Sequence, residues 1–485
     1  MPYPPRHCRL TWGDRKRNRL AETQGRPARA FFFSALIYTI TFSLCLQGSI
    51  GQCLESSSAN SMSHLTGTFL NPEARDAQDA QPLIDQTHLG VVRMGILPVI
   101  FAKYARDPGR FDWKRLDEVI AAYSSRTLMI TISSTYLRPG GVETPIPGTQ
   151  KELDTFLAFV SRIALRHANQ IEYWQLDNEV TAPKNWPSDR YADYARLLAA
   201  FHDTVRKTNP EAKIVVAGVP AGDINGRRAE DLLQALAQGA AGKVHAIDIH
   251  YHRSWVEAGS IADYIAALRK LLGAYRGLEK LEIVVAENST WFEKPAGRHL
   301  QTESQQAAYA AESIYAALAE GARFCVFGAP TDRLSWKGQS EHRFALNGLF
   351  FNPEKRYSAG QRREGAKRVA FTMRLIAELT KDVTPEQLKR IATTPRDITR
   401  IEVTGKRPYS VLWWSGSGTT IEVQVPVAVD AKAARIVGSV PDKDLKWPPT
   451  DPFEAFPRTS AAVRGGMVTV RLSPHVPVIV LPERQ

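Results

Sequence analysis

The chain is predicted to be an α/β protein, a (β/α)8 TIM barrel followed by a small C-terminal β-sandwich. Short β-branched runs alternate with longer amphipathic segments from about residue 65 to 380, the rhythm of βα units around a parallel sheet. Eight such units fit into that stretch, the number that closes a barrel. Beyond residue 381 the helical period disappears, and short alternating strands divided by Gly, Pro and Asp take its place.

Taken in order, GTFLNP (67–72) is a weak first strand and GVVRMGI (90–96) the second, followed by a helix in DWKRLDEVIAAY. TLMITISS (127–134) is the third, and the segment after it, KELDTFLAFVSRIALRHA, has apolar residues at helical spacing. IEYWQLDNEV (171–180) is the fourth, with a helix around YADYARLLAAFHDTVRKT. KIVVAGV (213–219) and VHAIDIHYH (244–252) are the fifth and sixth, with helices near 229–238 and 262–275. LEIVVAENS (281–289) is the seventh, followed by SQQAAYAAESIYAALAEG, and RFCVFGA (323–329) the eighth. A closing helix is expected over 365–379. The barrel is assigned to residues 63–380. The sandwich, residues 390–485, takes ITRIEVT, YSVLWWS, TTIEVQVPV, ARIVGSV, MVTVRLS and VPVIVLP as its strands.

The ends of the chain carry a different message. Residues 1–30 are basic: Arg6, Arg9, Arg15, Lys16, Arg17, Arg19, Arg26 and Arg29 face only Asp14 and Glu22. An apolar run over 31–48 follows, then a polar, Ser-rich linker over 49–62. Basic, apolar and small-residue regions in that order describe a secretory signal. The run is also near the minimum for spanning a bilayer, so an uncleaved anchor is the other reading, with residues 31–48 as a membrane tether. Either way the remainder is expected to be extracytoplasmic. The formal charge of +12 is partly that leader, and what remains is mildly basic. No nucleic-acid motif accompanies it, so nucleic acid is not an expected partner. The cysteines, Cys8, Cys45, Cys53 and Cys325, form neither a disulfide framework nor a CxxC metal spacing.

A (β/α)8 barrel builds its site at the C-terminal ends of its strands. Arg93 stands on the second strand, Asp177, Asn178 and Glu179 close the fourth, and His250 and His252 close the sixth. Glu287 closes the seventh, with Trp291 just beyond. Two glutamates from strands four and seven supply what glycosidic cleavage requires, one acid to protonate the departing oxygen and one carboxylate to attack. On that reading Glu179 needs a raised pKa, while Arg93 keeps Glu287 ionised.

Asn-Glu closing the fourth strand and Glu closing the seventh resemble the large clan of retaining glycosidases on (β/α)8 barrels. The β-xylosidase and exopolysaccharide hydrolase family 39 is the nearest branch. The resemblance runs from about residue 65 to the C-terminus and rests on Val92-Arg93, WQLDNEV (174–180), DIHYH (248–252), VVAENS (284–289) and NGLFFNPEKRYSAG (347–360). It implies Glu179 as acid/base, Glu287 as nucleophile, Asn178 on the sugar 2-hydroxyl, Arg93 supporting the nucleophile and His250 lining the subsite. It implies a carbohydrate substrate. No cofactor is expected, and because no third ligand accompanies His250 and His252 at convincing spacing, no metal is expected either. The chain departs from the family at strand six, where His252 stands in place of Tyr. It departs again at strand eight, where VFGAP lacks the Trp, and at Leu-Asp before Asn178.

Each residue also has a plainer reading. A loop glutamate is commonly just solvated, Glu287 could be a carboxylate at a helix N-terminus, and Arg93 could be only the partner of a buried acid. Asp177 is as readily a supporting residue, and the two histidines could be satisfied core or rim residues. Trp291, Trp255 and Trp336 are candidates for sugar stacking, Trp291 first; Trp413 and Trp414 read as packing. The altered strands six and eight motivate a second reading, a non-catalytic carbohydrate-binding or polysaccharide-assembly protein. Insertions over 136–149 and 331–347 are expected to shape the cleft.

Overall fold

A computed structural model describes residues 62–70, 80–96, 98–137, 143–144, 147–293, 295, 297–335, 339–357, 360–428, 430–442 and 446–483. The basic segment, the apolar run over 31–48, nearly all of the linker and Trp336 lie outside them. No helix among the described residues is long and apolar enough to cross a membrane.

Eight strands form a closed, all-parallel barrel in chain order. They are β1 (Ser63–Leu70), β2 (Leu89–Ile96), β3 (Thr127–Ile132), β4 (Tyr173–Leu176), β5 (Lys213–Pro220), β6 (Ala246–His252), β7 (Glu282–Ser289) and β8 (Ala322–Phe327). Alternate residues point inward. Val91, Met129, Tyr173, Val215, Ala246, Val284 and Phe324 fill the interior as one apolar cluster. Two residues further along β2, β3, β4 and β6 the inward layer turns polar, with Arg93, Thr131, Gln175 and Asp248 all buried. The floor of the site is therefore set by strand periodicity.

The helices α1 (Gln81–Thr87), α2 (Pro98–Arg106), α3 (Lys114–Ala122), α4 (Gln150–His167), α5 (Tyr191–Arg206), α6 (Arg227–Gly239), α7 (Ile261–Leu272), α8 (Glu303–Ala319) and α9 (Arg368–Thr380) surround the barrel. Thr149 with Glu152, and Thr302 with Gln305, form capping boxes that start α4 and α8. From Gln306 to Leu318 every residue of α8 is buried, as an all-round apolar helix must be, because it lies between barrel and C-terminal sheet.

That sheet has six strands, β11 (Leu388–Ile391), β12 (Ile398–Val403), β13 (Tyr409–Trp414), β18 (Val478–Glu483), β15 (Ala433–Gly438) and β16 (Arg458–Ala462), in that spatial order. A ribbon of β14 (Ile421–Pro426) and β17 (Met467–Leu472) covers it. Leu412, Trp414, Val425, Val468 and Val470 pack between the two layers. β9 (Ala329–Thr331) and β10 (Gly348–Phe350) pair in parallel beyond β8. Trp447 sits edge-on to Phe350 and Phe371 at 5.3 and 5.0 Å, and the Tyr315 and Tyr409 hydroxyls meet at 3.2 Å. These contacts, with Thr372 Oγ1 donating to Ser439 O at 2.7 Å, join barrel and sandwich in one compact unit.

The barrel and sandwich are as predicted, with local corrections. β1 begins four residues earlier than expected, and β4 stops at Leu176 instead of reaching 180. Short helices α1 and α2 and the strands β11 and β16 were absent from the sequence reading.

The segment after β8 is fixed by a buried ion pair. Lys367 Nζ lies 2.7 Å from Asp332 Oδ1, both side chains fully buried, and Tyr357 donates its hydroxyl to Asp332 Oδ2 at 3.0 Å. Lys367→Met leaves the Asp332 carboxyl buried and unpaired, so it is expected to cost about 3–5 kcal/mol, read by denaturant unfolding. Adding Asp332→Asn should restore part of that loss.

Candidate functional site

Glu179 and Glu287 face the same space above the polar layer. Together with His250 they place one ligand-type atom each within 4.8 Å of one another. Arg93, Asn178, His250 and His252 join them directly. Arg93 donates from Nη1 to Glu287 Oε1 at 2.5 Å, and from Nη2 to Gln175 Oε1 at 2.9 Å and Asn178 Oδ1 at 2.8 Å.

The backbone that presents Glu179 is left-handed on both sides of Asn178, with φ of 62° at Asp177 and 48° at Glu179. Such φ values cost an L-residue roughly 1–2 kcal/mol, which is why β4 stops at Leu176. Neighbours hold the turn. Asp177, 3% exposed, accepts the Ser134 amide and hydroxyl, both at 2.6 Å. Asn185 Nδ2 donates to the carbonyls of Asn178 and Glu179 at 3.0 and 3.1 Å. Burial lifts Asp177 to about 6, opposed by its Ser134 hydrogen bonds. Asp177 thus anchors the turn to the end of β3.

Glu287 is aimed by a β-bulge. Asp248 pairs with Val284 but His250 with Glu287, so β7 carries one extra residue between them. Ala286 joins the interior cluster, Glu287 also faces the cleft, and Asn288 turns out to Ser313 at 2.8 Å. The Ala286 amide donates to Asp248 Oδ1 at 2.8 Å.

Asp248 is the hub beneath the two glutamates. Its Oδ2 accepts from Gln175 Nε2 at 2.8 Å and sits 3.0 Å from His250 Nε2. The other ring nitrogen, Nδ1, lies 3.2 Å from Glu179 Oε1 and 3.6 Å from Glu287 Oε2. Burial opposes a charge on His250, but Glu287, Asp248 and Glu179 raise its pKa to about 10, making it an imidazolium at neutral pH. Gly218 on β5 makes room for the ring, since a Cβ there would stand 2.1 Å from Nε2.

This imidazolium sets both carboxylates. Burial would raise Glu287, but His250, Arg93 and His252 hold it well below the usual carboxylate range. Burial would likewise raise Glu179, but the hydrogen bond and charge of His250 bring it below its ordinary value. The sequence-based expectation of a raised Glu179 is therefore reversed in this structure, because its nearest charged neighbour is a cation. His252 is held lower by burial first, against the pull of Glu287. Its Nε2 lies 3.2 Å from Glu287 Oε2 and its Nδ1 2.8 Å from Ser289 Oγ. A neutral ring can donate to the carboxylate and accept from the serine.

Trp291 is placed differently from its predicted role. It is 3% exposed, donates Nε1 to His299 O at 2.9 Å and belongs to a cluster with Phe292, Leu346, Phe351 and Tyr357. Packing accounts for it better than sugar stacking. Trp255 turns its ring to His475 of the sandwich, 5.3 Å away. As for a cation, Glu179, His250 and Glu287 are a possible donor set by distance alone. Their donor atoms are already engaged by Arg93, His252 and the His250 proton, so a metal would have to displace these. Gln175, Asp248, Ser289 and Gly218 escaped the sequence reading as site residues. Period-2 counting back from Glu179 and His250 would have found Gln175 and Asp248; Gly218 had no local signal.

No known family model matches the chain, and no curated protein matches it either. Solved structures do. A family 39 glycoside hydrolase from Bacteroides cellulosilyticus WH2 superimposes with a TM-score of 0.63 at 17% identity, covering 87% of this chain and 82% of that one. A glucosidase from Croceicoccus marinus gives 0.57 at 14%, covering 88% and 97%. A family 51 arabinofuranosidase from Xanthomonas axonopodis pv. citri gives 0.55 at 14%, again covering 88% and 97%. The structural neighbours are glycoside hydrolases of families 39, 30 and 51, and the fold of this chain is theirs.

Two outcomes test the electrostatics. In the intact protein the His250 ring should remain protonated through pH 8, and Asp248→Asn should lower its titration midpoint, as followed by imidazole nitrogen NMR. Gly218→Ala should displace the ring and weaken its contact with Glu179. A crystal structure with His250 unmoved would refute the packing argument.

Proposed function

We propose that the protein is a retaining glycoside hydrolase acting on an oligo- or polysaccharide, with Glu287 as nucleophile and Glu179 as acid/base. The observation that carries this reading is the pair of glutamates at the ends of β4 and β7, with carboxylate oxygens within 4.8 Å across His250. Retaining enzymes keep their carboxyl groups about 5–5.5 Å apart, whereas inverting ones need about 6.5–9.5 Å to admit a water between them. Attack by Glu287 on the anomeric carbon expels the leaving oxygen, which takes the Glu179 proton. Glu179, now a carboxylate, deprotonates the water that releases the sugar. The Arg93 guanidinium and the His252 ring hold Glu287 ionised and oriented, and Asn178, fixed by Arg93, is offered to the sugar. With the apolar run over 31–48 as signal or anchor, the barrel acts outside the cytoplasm.

A second reading rests on one observation. Glu179 is depressed by His250 against its burial, so near neutrality both carboxylates are ionised and no carboxylic acid stands ready. A binding protein would lose nothing by this; an enzyme would work best on the acid side.

The two readings separate in assay. For the enzyme, Glu287→Ala should abolish cleavage. Glu179→Ala should leave a substrate with a good leaving group able to form the covalent intermediate, and added azide should then rescue turnover, yielding a glycosyl azide of retained configuration. Saturable binding with no product from the unaltered protein on glycan screening across acid and neutral pH would establish the binding protein instead. The sign of the pH effect follows from the acid. Cleavage needs protonated Glu179, so kcat/KM should fall as pH rises through its depressed pKa. His250→Asn removes the cation and should move that limb to higher pH. An unmoved limb would show that His250 does not set the acid.

A further inference from the structure

A cavity of about 440 Å³ opens beside His252, lined by Arg253, Ser254, Glu257, Trp291 and Arg298 among others, within the size range of small-ligand sites. It adjoins the reacting centre, because His252 forms part of its wall and reaches Glu287 at 3.2 Å.

Its charges are unusual. Among the described residues no carboxylate lies within ion-pair distance of Arg253 or Arg298, nor of Arg343 on the turn that follows β9. Arg298 lies over the Trp291 ring at 5.6 Å. Arg253 lies over Tyr264 at 5.8 Å and reaches its hydroxyl at 3.4 Å. The acid in the wall, Glu257, is already engaged, accepting the Ser254 amide and hydroxyl at 3.2 and 2.6 Å. Phe344, next to Arg343, packs edge-on against the His252 ring at 4.8 Å. Half-buried Arg343 is pushed down by its burial and by repulsion from Arg298 and Arg253, so positive charge is concentrated beside the cavity. In the wall Arg253 and Arg298 stand against the single carboxylate of Glu257, and that excess of positive charge costs free energy that an anionic ligand would recover.

We propose that this cavity is the subsite for a hexuronate, its carboxylate held by Arg253 and Arg298, so that the substrate is an acidic glycan. The inference rests on the glycosidase reading for the chemistry, but its recognition element is independent of turnover. A guanidinium pair matches a planar carboxylate in a way a hydroxymethyl group cannot. A neutral sugar in the same place leaves both arginines unpaired, which is how a polar site rejects an analogue lacking its partner group.

Calorimetric titration of the Glu287→Gln protein tests this without catalysis. The probes are hexamers of β-1,4-glucuronan, β-1,4-mannuronan and α-1,4-galacturonan, each beside its carboxyl-reduced counterpart. At least one acidic hexamer should bind about tenfold or more tightly than its reduced partner, and its affinity should fall as salt is added. Arg253→Gln with Arg298→Gln should erase that preference, and Arg298→Lys should retain part of it. Arg471→Gln, an exposed sandwich residue, should leave it intact. Thermal unfolding verifies that the variants are folded. Equal or weaker binding of every acidic hexamer, or a preference that survives loss of both arginines, overturns the inference. Cleavage of neutral glycans alone by the unaltered protein would overturn it and leave the hydrolase reading standing. Preferred acidic binding without any cleavage would do the reverse.

Discussion

The Asp248–His250 pair is the interaction on which the site depends. A fully buried carboxylate requires a cation or several donors, and Asp248 draws on the His250 ring, the Gln175 amide and the Ala286 amide. The proton that Asp248 keeps on His250 is the charge that holds Glu179 and Glu287 as anions side by side. Without it, two carboxylates so close would share a proton. One acid in the barrel floor thereby sets the protonation of two acids at the barrel mouth.

Around that pair the architecture divides its tasks. The apolar interior supports the polar layer, and strand periodicity lifts each polar residue to a fixed height. The turn after β4 and the bulge in β7 then depart from regular geometry where a side chain must be aimed. Hydrogen bonds donated by Ser134 and Asn185, and one accepted by Asp248, stabilise those departures. The sandwich clamps α8 and α9, and α8 is the helix against which β7 and β8 rest.

The barrel was legible because its strands are nearly continuous apolar runs and its helices keep a clear period. Both glutamates, Arg93 and His250 stood out as polar residues ending apolar strands. β11 and β16 were not legible, and for the same physical reason. They are the two edges of their sheet, largely exposed as LKRI and RTSAA, so no buried face imposes alternation. The electrostatics were legible only in part. Sequence shows that Glu179 needs tuning, but the sign depends on whether His250 or Glu287 lies nearer in space. Trp291 misled because a tryptophan beyond a strand end looks the same in sequence whether it lines a cleft or fills a core.

The extra residue in β7 makes the position of Glu287 a matter of parity. Side chains on a regular strand alternate, so if these same residues ran on from Val284 without the bulge, inside and outside would be exchanged from Glu287 on. Glu287 would then turn toward α8 and Asn288 toward the cleft, with every residue type still present in the same order. Substitutions test the chemistry of this site. Whether the ladder takes up one extra residue ahead of the glutamate decides which chemistry the barrel presents at all.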